Sequence, residues 1–137
     1  MVYLILPILA YLAAGSLKFL INSIKAKSLN FKAIGLGGIP STHNTITSSM
    51  LFYIALSEGF TSNFGIMFVV ATIIAIDSMD TRNKIGKQAV ALKEIFPDNQ
   101  KIQNLREKTG HNMIEVIAGY GLGFALAGTL YIIKANM

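Results

Sequence analysis

The chain has 137 residues, enough for one domain and not two. It is 53% hydrophobic and only 14% charged, where a soluble domain carries about 25% charged residues, so an ordinary soluble domain is excluded: so short a chain cannot hide that much apolar surface in one core. The absence of cysteine removes disulfides, thiol catalysis and thiolate metal sites, and the net charge of +5 sits between apolar runs, which points to anionic lipid head groups or phosphates as partners rather than nucleic acid.

Four apolar segments follow in chain order. The first, residues 2–24, is long enough to span a bilayer and carries Lys18 and Lys25 towards its far end. No basic residue precedes it and no A-x-A cleavage site follows, so it reads as a retained helix and not a removed signal peptide. Residues 26–43 contain Gly35, Gly37 and Gly38, then Pro40 and Ser41, and read as a turn feeding a helix that starts at Ser41 or Thr42. The second and third apolar segments, residues 45–60 and 63–79, are short for spans and would borrow polar turns at their ends.

Residues 81–112 form the one long polar stretch. Ile85, Ala89, Leu92 and Phe96 recur at helical spacing with Lys84, Lys87 and Lys93 interleaved, which predicts an amphipathic interfacial helix ended by Pro97, Asp98 and Asn99. The fourth apolar segment, residues 113–133, contains Gly119, Gly121, Gly123 and Gly128, with Gly119 and Gly123 making a small-xxx-small pair for close helix packing. The expected fold is all-α: a single-domain polytopic membrane helix bundle over residues 1–137, with about four transmembrane helices and one interfacial helix.

With four spans, one membrane face carries Lys18, Lys25, Lys27, Lys32, Arg82, Lys84, Lys87, Lys93, Lys101, Arg106 and Lys108, and the other only Lys134, beside Glu58. That asymmetry predicts an integral protein of a bacterial-type inner membrane, with the loaded face cytoplasmic and both termini outside.

Both histidines, His43 and His111, fall at the start of an apolar segment on the loaded face. Glu115 follows His111 at i+4, within reach of its imidazole. A carboxylate there fixes the tautomer and leaves the other ring nitrogen free to attack. Lys18 and Lys25, seven apart, share one helix face, and Asp77, Asp80 and Arg82 close the third segment on the same side. Two histidines, several cations, carboxylates and a Gly-rich turn before a helix N-terminus suit phosphoryl transfer from an anionic substrate. Blander readings exist for single residues. Ser41 and Thr42 alone are helix caps, Lys25 alone snorkels to the interface, and Asp77 with Asp80 is either a divalent-metal pair or a helix end beside Arg82.

The run Gly37 to His43 resembles the Pro-Ser-Gly-His motif of the type 2 phosphatidic acid phosphatases, a superfamily that includes the vanadium haloperoxidases. Arg106, His111 and Glu115, as Arg-x4-His-x3-Glu, resemble their Ser-Arg-x5-His-x3-Asp motif, and Lys18-x6-Lys25 resembles their Lys-x6-Arg-Pro motif. The match is best with the divergent branch of acid phosphatase/vanadium-dependent haloperoxidase-related proteins, through Gly-Gly-Ile-Pro-Ser-Thr-His, residues 77–89 and residues 105–119. It covers residues 18–123. Lys25 stands in place of Arg with no Pro after it, Thr42 in place of Gly, Leu105 in place of Ser, and the spacing from Arg106 to His111 is one residue short.

The resemblance implies that His111 is the nucleophile, Glu115 its orienting carboxylate and His43 the acid for the leaving alcohol. It implies phosphate binding by Lys18, Lys25, Ser41, Thr42 and Arg106, with Arg82 added from the matching face, Asp77 and Gly38 in support, and no metal or other cofactor. The implied substrate is a lipid phosphomonoester or pyrophosphate such as phosphatidate, phosphatidylglycerophosphate or a prenyl phosphate. The same pocket could instead hold an anionic lipid head group without cleaving it, as a binding or transport protein. The Gly-rich fourth segment alone would also suit a packing subunit of a larger complex, and the short helices are compatible with a homodimer.

Overall fold

In the computed structural model, which describes residues 1–27 and 38–136, the described residues form helices and no strands. In chain order these are α1 (Val2–Ala26), α2 (Thr42–Glu58), α3 (Ser62–Ile76), a π-helical turn (Asp77–Thr81), α4 (Arg82–Ile95), a short α5 (Gln100–Gln103) and α6 (Met113–Ala135). Lys32, Gly35 and Gly37, from the expected basic face and Gly-rich turn, lie outside the described residues.

Among the described residues, three helices are long and apolar enough to cross a membrane: α1, the continuous helix from Ser62 to Ile95, and α6. The fourth expected span is α2, shorter at 17 residues. It is the most enclosed helix, packed against α6, α1 and α3. Its buried positions include Asn44, Thr45, Ser48 and Ser49. These hydroxyls are made compatible with burial by bonding back into the helix: Thr45 Oγ1 donates to the Ser41 carbonyl (2.9 Å), Ser48 Oγ to Thr45 (3.3 Å) and Ser49 Oγ to Ile46 (2.8 Å).

Contacts along α2 fix the direction of its neighbours. Lys18 meets Thr42 at one end of α1, and Tyr3 meets Ser57 and Glu58 at the other, so α1 is antiparallel to α2. Helix α6 is parallel to α2. Gly119 lies against Ser41 and Thr45, and Gly123 against Thr45 and Ser49. Further along, Ala127 joins Tyr53 and Leu6 in the apolar core, flanked by Met50, Phe52, Leu126 and Leu130. The buried face of α1 is a single i+4 stripe, Leu6, Ala10, Ala14 and Lys18. Small residues on it let α2 approach, and the stripe ends in a lysine.

The expected interfacial helix is α4, and no loop separates it from α3. The 34-residue run from Ser62 to Ile95 is about 51 Å long at helical rise, against a hydrocarbon thickness of about 30 Å. Its polar half therefore projects beyond the apolar half and carries Lys84, Lys87 and Lys93. It stops at Ile95, as the following Pro97 requires.

The small-xxx-small expectation for α6 holds at two of its four glycines. A Cβ on Gly119 would meet the Ser41 carbonyl at 2.8 Å, and one on Gly123 would meet Ser49 N at 2.7 Å and the Thr45 carbonyl at 2.8 Å. These neighbours are backbone atoms and cannot rotate away. Gly121 and Gly128 face open space. Gly123→Ala is expected to force α2 and α6 apart and destabilise the fold by about 1–3 kcal/mol. Gly128→Ala leaves stability unchanged or slightly raised. Thermal unfolding of both variants in detergent checks the contrast.

Candidate active site

The parallel arrangement of α2 and α6 sets two helix N-termini side by side, each carrying about half a positive charge. His43 stands in the first turn of α2, and His111 just precedes α6. Between them is a cavity of about 250 Å³ lined by Tyr11, Lys18, Thr42, His43, Ile46, Arg82, Arg106, Thr109 and His111. Lys18 comes from α1, Thr42 and His43 from α2, Arg82 from α4, and Arg106, Thr109 and His111 from the segment before α6.

His111 is 8% exposed and Glu115 5%, and His111 Nδ1 lies 2.7 Å from Glu115 Oε2. A carboxylate only accepts hydrogen bonds, so Nδ1 is the donor in this contact, and in the neutral imidazole Nε2 is the nitrogen that keeps its lone pair. Glu115 is fixed in turn by a capping box. Asn112 Oδ1 accepts from Glu115 N–H (2.9 Å), and Glu115 Oε2 accepts from Asn112 N–H (3.2 Å). Asn112 was not among the expected site residues, although Asn-x-x-Glu before an apolar run is a legible capping signal.

The segment carrying His111 is latched onto the π turn and α4. His111 N–H donates to the Ser78 carbonyl (2.9 Å). Asn83 Nδ2 donates to the His111 carbonyl (3.2 Å), and Thr109 Oγ1 donates to the Arg82 carbonyl. Two glycines make the approach possible: a Cβ on Gly86 would collide with the Glu107 carbonyl, and one on Gly110 with Asn83. Asn44 ties α2 into the same place, its Nδ2 donating to Ser41 Oγ (2.9 Å) and Ser78 Oγ (3.1 Å).

The charges are unevenly matched. Lys18, 7% exposed, donates from Nζ to Thr42 Oγ1 (3.2 Å). Arg82 pairs through Nε with Asp77 Oδ2 (2.7 Å). Arg106 donates from Nε to the Lys108 carbonyl (3.2 Å). His43 shares the cavity wall with the Lys18, Arg82 and Arg106 cations and with His111. A cavity with this balance suits an anion.

Residues 2–126 match the divergent PAP2 family. The chain belongs to that family. It is similar to "Uncharacterized membrane protein YuiD" of Bacillus subtilis (strain 168), at 28% identity over 142 residues, covering 88% of this chain and 90% of that one. No solved structure matches. With its three spanning-length helices, this is an integral membrane protein of a phosphatase-related family.

The divergent PAP2 motifs do not all converge on the cavity. Lys18, Thr42, His43, Arg82, Arg106 and His111 line it, with Glu115 directly behind His111. Ser41 does not. It is fully buried, its N–H donates to the Glu115 carbonyl (2.9 Å), and its hydroxyl accepts from Asn44 instead of capping α2. Lys25 is exposed in the last turn of α1, about 10 Å beyond Lys18 along the axis, too far on to share the same cavity wall. Gly38 holds a φ of 135°, which a side chain would strain, beside the cis Ile39–Pro40 bond. Asp77 stands behind Arg82, and Asp80 pairs with Lys84 (2.8 Å) on the exposed side of the helix.

Tyr11, Ile46 and Thr109 were not anticipated. Tyr11 precedes Lys18 by seven residues on the same helix face, and Ile46 follows His43 by three, so spacing signalled both. Thr109 had no sequence signal beyond its place between Arg106 and His111. Gly86→Ala is expected to lift the 107–111 segment off α4. Hydrogen exchange should then rise across residues 105–112 while α1 and α6 keep their protection.

Proposed function

We propose that this divergent PAP2 protein is a metal-independent lipid-phosphate phosphatase acting through a phosphohistidine. The observation that carries the reading is the buried His111–Glu115 pair, its second ring nitrogen available to a cavity that also holds His43 and three cationic side chains. His111 Nε2 attacks phosphorus in line with the ester oxygen. The P–O bond to the alcohol breaks as His43 delivers its proton to that oxygen. His43, now neutral, takes a proton from water, whose oxygen attacks the phosphohistidine and releases inorganic phosphate and free His111. Lys18, Arg82, Arg106 and the two helix N-termini stabilise the charge on the equatorial oxygens.

The cavity, about 250 Å³, is smaller than the roughly 300–1,000 Å³ of sites that enclose drug-sized ligands. It suits a phosphate head group whose hydrocarbon remains in the bilayer, as in phosphatidate, phosphatidylglycerophosphate or a prenyl phosphate or pyrophosphate. The excess of Lys and Arg at this end of the bundle favours a cytoplasmic site in an inner membrane.

Phosphate release by the purified protein in detergent, over a panel of lipid phosphates with excess chelator, tests the reading. Wild type is expected to turn over and to be inhibited by vanadate. His111→Ala abolishes release, and His43→Ala and Glu115→Gln each lower kcat by about 100-fold or more. Binding of anionic lipid that survives His111→Ala, with no release by wild type, would instead establish a binding or transport protein.

A further inference from the structure

We propose that the π turn Asp77–Thr81 is a positioning device for oxyanion binding, in which Asp77 fixes the guanidinium of Arg82 in the wall of the cavity. The inference rests on the phosphate-binding reading of that cavity and gives a role to a carboxylate that does not itself line it.

Spacing is the first observation. Asp77 and Arg82 are five apart. In an α-helix, residues five apart are turned about 140° from each other, and their side chains diverge. Here Arg82 N–H bonds to the Asp77 carbonyl, the i to i−5 bond of a π turn, which stacks the two residues and lets Arg82 Nε reach Asp77 Oδ2 at 2.7 Å. An uninterrupted α-helix over 76–83 would break the pair and rotate Arg82 relative to the cavity.

Donor geometry is the second observation. Guanidinium has five N–H donors, and the Asp77 bond engages the one on Nε. The other four are on the terminal nitrogens, the fork that grips a tetrahedral oxyanion. Arg82 lines the cavity and Asp77 does not. The third observation is that the same turn positions the nucleophile: His111 N–H rests on the Ser78 carbonyl, and the Asn83 amide spans the Met79 and His111 carbonyls. One extra residue in the helix thus sets both an oxyanion ligand and the attacking histidine. The pair's own contribution to stability is small, since both side chains are about a third exposed, so positioning is the role that the geometry supports.

The test is a double-mutant cycle on orthovanadate affinity, measured by calorimetry on the full chain in detergent. Asp77→Asn is expected to weaken binding about tenfold and Arg82→Ala by about ten- to a hundredfold. In the Arg82→Ala background Asp77→Asn has no further effect, because it acts through the guanidinium. Asp77→Glu restores part of the loss. Equal effects of Asp77→Asn with and without Arg82, no effect at all, or no vanadate binding by wild type would each overturn the inference. Hydrolysis of lipid phosphates, measured alongside, separates the two readings. Coupled vanadate binding without phosphate release keeps the positioning role and removes the phosphatase. Release that is indifferent to Asp77→Asn does the reverse.

Discussion

Helices α2 and α6 lie so close that backbone meets backbone, with only the missing side chains of Gly119 and Gly123 permitting it. Because the two helices are parallel, this contact also sets the relation of their N-termini. The Ser41 N–H bond to the Glu115 carbonyl marks where the two meet, and His43 and His111 line one cavity beside it. A wider spacing would leave two isolated interfacial histidines. Two parallel helix N-termini side by side also bring two partial positive charges to the same end of the bundle.

The cations reach that site from three separate parts of the chain, and each is held differently. Lys18 arrives at the end of an apolar stripe, so its stem packs in the bundle while its ammonium meets Thr42. Arg82 is set by a π turn, and Arg106 belongs to a segment docked on α4 through Gly86 and Gly110. The carboxylates stay at the back. Glu115 is committed to His111 and Asn112, and Asp77 to Arg82. The cavity wall therefore presents donors, while the carboxylate acceptors are turned towards partners.

Polar content inside α2 is the other unusual feature of the bundle. Thr45, Ser48 and Ser49 are buried at the α2–α6 contact because their short hydroxyls bond to carbonyls of their own helix. They keep the interface thin in the way glycine does, and Ser48 Oγ in addition donates across it to the Gly119 carbonyl (3.4 Å). Asn44 reaches out to Ser41 and Ser78 and so joins the turn before α2 to the turn before α4.

Local patterns in the sequence determined the helices, the membrane character, the His111–Glu115 pair and the Gly119–Gly123 packing face, because each depends on residues within one or two helical turns. The family motifs extended this to His43, Lys18 and Arg106, and the structure brings all three to the cavity. Only the tertiary structure decided that Ser41 turns into the Asn44 network and that Lys25 lies a further two turns out. It also decided that α3 runs into α4 without a break, and that one wide turn brings Asp77 to Arg82. Those outcomes depend on which surfaces meet: a hydroxyl chooses between cap, ligand and neighbour by what lies within 3 Å of it, and an extra residue in a helix is tolerated where another segment, here that of His111, bonds to the turn it creates.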